Sequence, residues 1–516
     1  MESRAPAFAL LAALLLAIPR PNLAAPAPAE NAAVPPVVSP DGGPSSRPGN
    51  AAAESPSPAA SPVPPAVLRE YRNASAALAL LDKIDPPLRD PDALPPGLDD
   101  LFVSTLDLHL FELPLDASVP CGCDQAYILS ATPSSVAAFD SALAAQGWRL
   151  QPGTGGDVPQ VYLPPDGVDA DLLSLCVSRQ PSHIAFSTSP GRLAQALAIL
   201  PFLPPTLPAE GVFAYQKLPR ASDHDPIEIL DASTLSYGLD LDGGTVVLHA
   251  ILAPPPGSSF ADWLRAMPPI PPETACVNLP GALATLAVAP LPPLPVDFPG
   301  GLPREIRDFL SRHPRIPFAC AILPPPPADY PDPAVSLLAY AGYPDPAAPL
   351  RALDRVTGLP ATNAVHRGIP ILGRGWNFTV PDNWRFLELL GPVLSCDSPF
   401  PLLAPLPTGV LLASDAPPSA LSAAIDAALD GNAPTRRFDA SPAFPPPDAP
   451  PVAILHADLR ALAAAYPGHA ANFHLDRAVA AAPPSAPLPL DATLHVSPDA
   501  SLVLRLRVLL SVLAAI

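Results

Sequence analysis

The chain has 516 residues, 49% of them hydrophobic and 15% charged, which is enough apolar material for a core and excludes a wholly disordered protein despite 83 prolines. A formal charge of −20, with lysine only at Lys83 and Lys217, repels phosphate backbones and anionic lipid, so neither nucleic acid nor a charged membrane surface is an expected partner.

At the N-terminus, Arg4 precedes an uncharged apolar run from Ala7 to Ile18, and Ala27 and Ala29 offer a small-x-small cleavage site before Glu30. This pattern predicts an export signal over residues 1–29. The run falls short of the roughly 20 apolar residues a spanning helix needs, and no other stretch reaches that length, so no transmembrane helix is expected in the mature chain. The expected location is periplasmic or extracellular. Residues 30–65 are Ala, Pro, Ser and Gly with hardly a large side chain, the composition of a disordered, semi-stiff linker. Residues 66–92, opening with VLREYRNASAALALLDKI, read as an amphipathic helix and its lead-in.

Beyond this point the same order of elements is written twice. In a first unit, residues 93–270, AYILSATPSSVAAFDSALAAQG from Ala126 is a strand followed by a helix with Thr132 at its cap, Pro133 in its first turn and Gly147 at its close. HIAFSTSPGRLAQALAIL from His183 is again strand, cap and helix, with Ser189 as N-cap and Leu193, Leu197 and Leu200 on one stripe. STLSYGLDL and VVLHAIL, joined through Asp242, Gly243 and Gly244, form a hairpin in which Leu235, Tyr237, Leu239 and Leu241 alternate with small or polar residues. Phe260, Trp263, Leu264 and Met267 follow at helical spacing and are read as core.

In a second unit, residues 271–516, SLLAYAGYPDPAAPLRALDRVTG from Ser336 repeats the first punctuation, with Asp345 before Pro346 and a close at Gly358. GVLLASDAPPSALSAAIDAALDG from Gly409 repeats the second, with Asp415 as cap and Gly431 as terminator. LPLDATLHV and SLVLRLRVLL then form a hairpin with Leu502, Leu504, Leu506 and Val508 inward and Arg505 and Arg507 outward. The order of caps, prolines and glycines recurs along with the apolar residues, and composition alone does not dictate order. The fold class expected is α+β: two related domains, each with a mainly antiparallel sheet packed on helices.

Carriers of chemistry are sparse. There is no HExxH, GxSxG, SxxK, Walker-type GxxxxGKS or dinucleotide GxGxxG pattern. The glycines of Gly153–Asp157 lack a following helix and are read as a loop, and Asp223, His224 and Asp225 as a solvated turn rather than a cation site. Trp376 and Trp384 lie in a stretch that could form a loop, and are read as core. His249 and His495 occur in the two hairpins but on opposite arms, so they do not superpose and are treated as ordinary strand residues. Of six cysteines, Cys121 and Cys123 are too close for a zinc knuckle; in an exported chain an even count suggests disulfides, and Cys276 with Cys320 is the pair chosen here because both sit in short apolar runs, TACVNL and FACAIL. No catalytic, cofactor-binding or metal-ligating residue is assigned, and no cofactor is expected.

STLSYGLDLDGGTVVLHAIL followed by FADWLRAM, together with GVLLASDAPPSALSAAIDAAL, gives a layout that resembles uncharacterised exported bacterial proteins carrying tandem α+β repeats after a signal peptide and a low-complexity linker. The resemblance covers most of residues 95–516 and brings no functional residue with it. The function expected is a noncatalytic envelope or extracellular protein, a binding or scaffold module for another protein or an envelope polymer. The alternative is a secreted hydrolase with a dispersed site, using carboxylates such as Asp240 and Asp242 with a histidine brought near by folding. The first predicts a large apolar or aromatic surface patch and the second a cleft with convergent titratable groups of perturbed acidity.

Overall fold

A computed structural model describes residues 67–73, 76–77, 80, 110–114, 125–152, 159–164, 174–217, 233–242, 245–293, 316–325, 335–343, 361–373, 402–431, 449–467, 479–480 and 488–509. In chain order its first ten strands are β1 (Val67–Tyr71), β2 (Leu110–Pro114), β3 (Gln125–Ser130), β4 (Arg149–Leu150), β5 (Gln160–Leu163), β6 (Leu175–Arg179), β7 (His183–Ser187), β8 (Phe213–Lys217), β9 (Thr234–Asp242) and β10 (Thr245–Ala253). Ten more follow: β11 (Ala284–Val288), β12 (Phe318–Ile322), β13 (Leu337–Gly342), β14 (Ala361–His366), β15 (Ile369–Gly373), β16 (Leu402–Leu406), β17 (Gly409–Ser414), β18 (Pro451–Asp458), β19 (Pro489–Val496) and β20 (Leu502–Leu509). The helices are α1 (Pro133–Ala145), α2 (Pro190–Ile199), α3 (Ser259–Arg265), α4 (Pro418–Asp430) and α5 (Leu459–Ala465).

All described strands belong to one antiparallel sheet. From one edge the pairings run β4-β5-β6-β7-β3-β2-β1-β8-β9-β10. From the other edge they run β14-β15-β16-β17-β13-β12-β11-β18-β19-β20. Each strand of the second series thus holds the place of the strand ten positions earlier. The series meet where β10 pairs antiparallel with β20, from Thr245 opposite Leu509 to Leu252 opposite Leu502. Helices α2 and α4 follow the matching strands β7 and β17. The ten-strand halves therefore share a single sheet.

Two elements depart from the sequence reading. Residues 67–71, expected as the start of a helix, form β1, which pairs with β2 on one side and β8 on the other and lies inside the first half rather than ahead of it. Its five residues alternate faces, Leu68 and Glu70 being buried. Helix α4 starts from Pro417, not Asp415; Asp415 instead takes φ 48°, and Gly431 closes the helix in the left-handed region at φ 63°. By contrast α1 has the expected cap, with the Thr132 hydroxyl accepting from the Ser135 N–H at 3.1 Å, and α3 buries Phe260, Trp263 and Leu264.

Alternation then assigns the two faces. On the back, α2 lays Leu193 and Ala196 on Leu68, Ile128 and Ala185, while α4 lays Leu421, Ala424 and Ile425 on Ala319, Ala321, Leu338 and Leu411. On the front, α1 presents Phe139 and Leu143 to Tyr127, Leu175 and Phe186. The middle of the front is a core drawn from both halves, in which Tyr215, Tyr237 and Leu248 meet Leu490, Leu506 and Val508. No described helix is long and apolar enough to cross a membrane.

A polar band at the midline of the sheet

One cross-strand row can be followed along the whole back face. From the α2 side it reads Ala185, Ile128, then across β2 to Glu70, Ala214, Gly238, His249, Arg505, Thr493, Ile454, Ala287, Ala319, Tyr340 and Leu411. It is apolar beneath the two helices and carries its charged and polar side chains, Glu70, His249, Arg505 and Thr493, between them. The neighbouring row repeats the change: Asp240, Val247, Arg507, Asp491, His456 and Thr285 lead to Ala321 and Leu338. Residues directly opposite one another on one face are close enough to interact, so the midline is a band of mixed charge laid over the β10–β20 junction.

The histidines of the band are each held by a named neighbour. His456 and Asp491 are cross-strand partners, with Nδ1 to Oδ1 at 2.5 Å. His249 is buried on β10, and its Nδ1 accepts the N–H of Glu210 at 3.1 Å. The neutral ring therefore carries its proton on Nε2. His495 is buried on β19 with Nδ1 3.1 Å from the Ala449 carbonyl oxygen, which requires the opposite tautomer; its Nε2 has no partner among the described residues. Burial pushes both imidazoles below their ordinary pKa. At His249 the Glu210 carboxylate opposes this while Arg505 and Arg72 reinforce it, and at His495 the Ala449 carbonyl opposes it while Arg505 reinforces it.

The two rings stand on strands that do not correspond, yet the segments that hold them do. Residues 207–211 lead into β8, and residues 449–450 lead into its counterpart β18. The first segment is clamped by Arg72, whose guanidinium donates to the carbonyls of Leu207, Ala209 and Gly211 at 2.8, 2.7 and 3.2 Å and to Glu70 at 3.1 Å. The fully buried Glu70 carboxylate also accepts the Leu207 N–H at 2.7 Å. Glycine is required where this segment crosses β9, because a Cβ on Gly238 would run into the Glu210 carbonyl and one on Gly211, at φ 135°, into the Leu239 backbone. The clamp delivers Glu210 to His249. The sequence reading missed Glu70 and Arg72 because it placed them on a helix; their signal was an ion pair two residues apart, the spacing that shares a face in a strand.

The residues singled out from sequence fare differently. Cys276 and Cys320 do not pair: Cys276 packs on the back with Ala319 and Ala321, whereas Cys320 lies between those two on β12 and points to the front with Phe318 and Leu337. Both are free thiols, pushed up to about 12 by burial and hence protonated. Asp240 lies one pair along from His249 on the same face, on the order of 7–8 Å by the usual diagonal, and its Oδ1 accepts the Leu241 N–H at 2.7 Å. Among the described residues the carboxylate within ion-pair distance of His249 is that of Glu210, whose Oε2 lies at 4.0 Å. The side chain of Asp242, together with Cys121, Cys123, Gly153–Asp157, Asp223, His224, Asp225, Trp376 and Trp384, lies outside the described residues, as does the helix expected from Pro346. Trp263 is buried and donates from Nε1 to the Pro292 carbonyl at 3.1 Å. Among the described residues no group of three or more His, Cys, Asp and Glu is placed to hold a metal ion. The large apolar side chains exposed there are Leu150 and Val365, on the outermost strands β4 and β14, so no contiguous apolar patch is found among them.

Comparison with known proteins adds little. No protein-family profile and no curated protein matches the chain. A solved structure titled "Structure of crystal form I of TP0453" aligns over 37% of this chain and 75% of that one at 12% identity, and its TM-score of 0.22 is too low to carry an argument about fold or function.

Proposed function

We propose that the chain is a noncatalytic exported protein, periplasmic or extracellular, in which two related α+β units form one rigid sheet that serves as a binding or scaffold body for another protein or an envelope polymer. The kinship of the units is supported by the pairing order, since ten strands recur in the same sequence of neighbours and α2 recurs as α4. Export is supported by the apolar run after Arg4 and the Ala27–Ala29 site ahead of a linker.

The observation that carries the noncatalytic reading is how the midline spends its polar groups. Glu70 and Arg72 are taken up in the clamp, His456 and Asp491 hold each other, and His249 accepts a backbone N–H. A general base instead needs to reach a substrate proton from an open position. These groups fix the backbone. The large apolar patch expected of such a body is not found among the described residues, so the partner surface is assigned to the outermost strands, where Leu150 and Val365 are exposed, and to the half-buried band.

The reading is tested by expressing the tagged full-length chain in its source organism, fractionating the cells, and identifying cross-linked partners from the envelope fraction and the medium. The expected result is a chain starting at Glu30 outside the cytoplasm and a recurrent partner that withstands salt washing. A chain that stays cytoplasmic with an intact N-terminus overturns export. Turnover of ester or peptide substrates that His249→Gln abolishes overturns the noncatalytic assignment in favour of the hydrolase.

A further inference from the structure

His249 and His495 form an arrangement that favours neutral rings. Across the β10–β20 junction His249 stands directly opposite Arg505, and on the far side of β20 Arg505 stands opposite Thr493, two residues before His495. One arginine is thus flanked by two buried imidazoles on one face. The groups facing His249 are Arg505 from β20, Arg72 from the end of β1, Glu210 from the segment before β8, and the uncharged Gly238 from β9. Those around His495 are Arg505 and the uncharged Val503 from β20, Pro451 from β18, and the backbone of Ala449 and Pro450.

Adding a proton to either ring breaks something specific. On His249 it goes to Nδ1, which now accepts the Glu210 N–H, so a donor would face a donor. On His495 it goes to Nε2, which is buried without an acceptor among the described residues. Each new charge also faces Arg505. The Glu210 carboxylate offers little compensation at 4.0 Å with a side chain 61% exposed, and Asp491 in the next row is occupied by His456.

The geometry points to a pH-sensitive latch: acidification charges His249 and His495 on either side of Arg505, and this releases from the back of the sheet the two corresponding segments, 207–211 and 449–450, uncovering the polar band at the junction of the halves. The sign follows from linkage. Both folded-state pKa values lie below the ordinary value near 6.5, so the unfolded or released state binds protons first. The stabilisation is present in full above about pH 6.5 and is lost as the pH falls through the lower folded values. The segments are held at neutral pH and freed in acid. The device does not depend on export or on the identity of a partner.

Hydrogen–deuterium exchange on the full chain at about pH 7.5 and about pH 5, corrected for intrinsic exchange rates, tests it. A loss of protection of roughly tenfold for each pH unit and each proton taken up on release is expected in acid for peptides covering residues 207–217, 245–253, 449–458 and 489–509, with α1 and β7 unchanged. In the double variant His249→Gln, His495→Gln that loss should disappear. Equal protection of the wild type at both pH values, or the same loss in the double variant, overturns the latch. Should the double variant fail to fold at neutral pH, the wild-type imidazole Cε1–H resonances decide the matter. Two midpoints below about 6.5 that coincide with the loss of protection support it, and midpoints at or above that value overturn it.

Discussion

The first ten strands and the second ten share a pairing order but fill it with different side chains. Around α1 the first half packs Tyr127, Phe139, Trp148 and Phe186, and further along the same face Phe213, Tyr215 and Tyr237. On the same face the second half uses Ala339 and Ala341 with Leu337, Leu403, Val410 and Leu412, and Phe318 is the buried ring of that cluster. The same contrast appears where matching strands end: Ser130 opposite His183 in one half, Gly342 opposite Gly409 in the other. Cores tolerate such exchange when volume and face are kept. What is common to the halves is therefore the alternation of faces and the order of connections, and what differs is how each interlayer space is filled.

The largest expected effect follows from the ring-filled half. Phe186 is fully buried, with its ring centroid 5.2 Å from Tyr127 and 5.1 Å from Phe139, so Phe186→Ala should cost about 3–5 kcal/mol in a urea titration. Because the central front core draws on both halves, one cooperative transition is expected in wild type and variant alike. Two separate transitions would show that the halves are energetically independent despite their common sheet.

Next comes the clamp, which belongs to the first half. Arg72→Ala removes the cationic partner of the buried Glu70 carboxylate, which keeps the Leu207 N–H, and a destabilisation of about 3 kcal/mol is expected, toward the low end for a broken buried pair because the arginine itself is partly exposed. Limited proteolysis should then cut within 207–211 before it cuts at α2. Unchanged resistance there would mean that Gly211 and Gly238 alone hold the segment.

How much of this was legible in the sequence depended on range. The hairpins β9–β10 and β19–β20 could be read because alternation is local: Tyr237 and Leu239, or Leu504 and Leu506, declare their face within a few residues. Residues 67–71 were misread because five residues satisfy a period of two as readily as 3.6, and the deciding interaction is with β2 and β8, some 40 and 145 residues away. The disulfide expectation failed on the same count, since apolar runs around Cys276 and Cys320 reveal burial but not which side of β12 each thiol takes. At the midline the outward alternation of Arg505 and Arg507 was visible. Their neighbours His249 and Asp491 were not, because the β10–β20 register leaves no trace in either hairpin taken alone.

The second half is more sensitive to added volume than to lost volume. Ala339 is fully buried on the front of β13 among Phe318, Leu403 and Leu412, so Ala339→Leu should destabilise by about 1–3 kcal/mol. An outcome near zero would place a void beside β13 and weaken the contrast between tightly spaced and ring-filled halves.

The smallest effect separates two helices with the same place in the fold. Helix α2 leaves through Leu200 at φ −43°, a right-handed exit that continues into a short 3-10 turn, whereas α4 stops at Gly431 in the left-handed region at φ 63°. A Cβ at Gly431 would meet no atom within 4 Å, so packing does not oppose Gly431→Ala and only the backbone conformation does. Forcing a non-glycine residue into that region costs about 1 kcal/mol, which should appear as a lowered Tm with an unchanged denaturant slope. If the variant were as stable as the parent, α4 would have to be leaving the sheet as α2 does, and the difference in their exits would not be a fixed feature of the two halves.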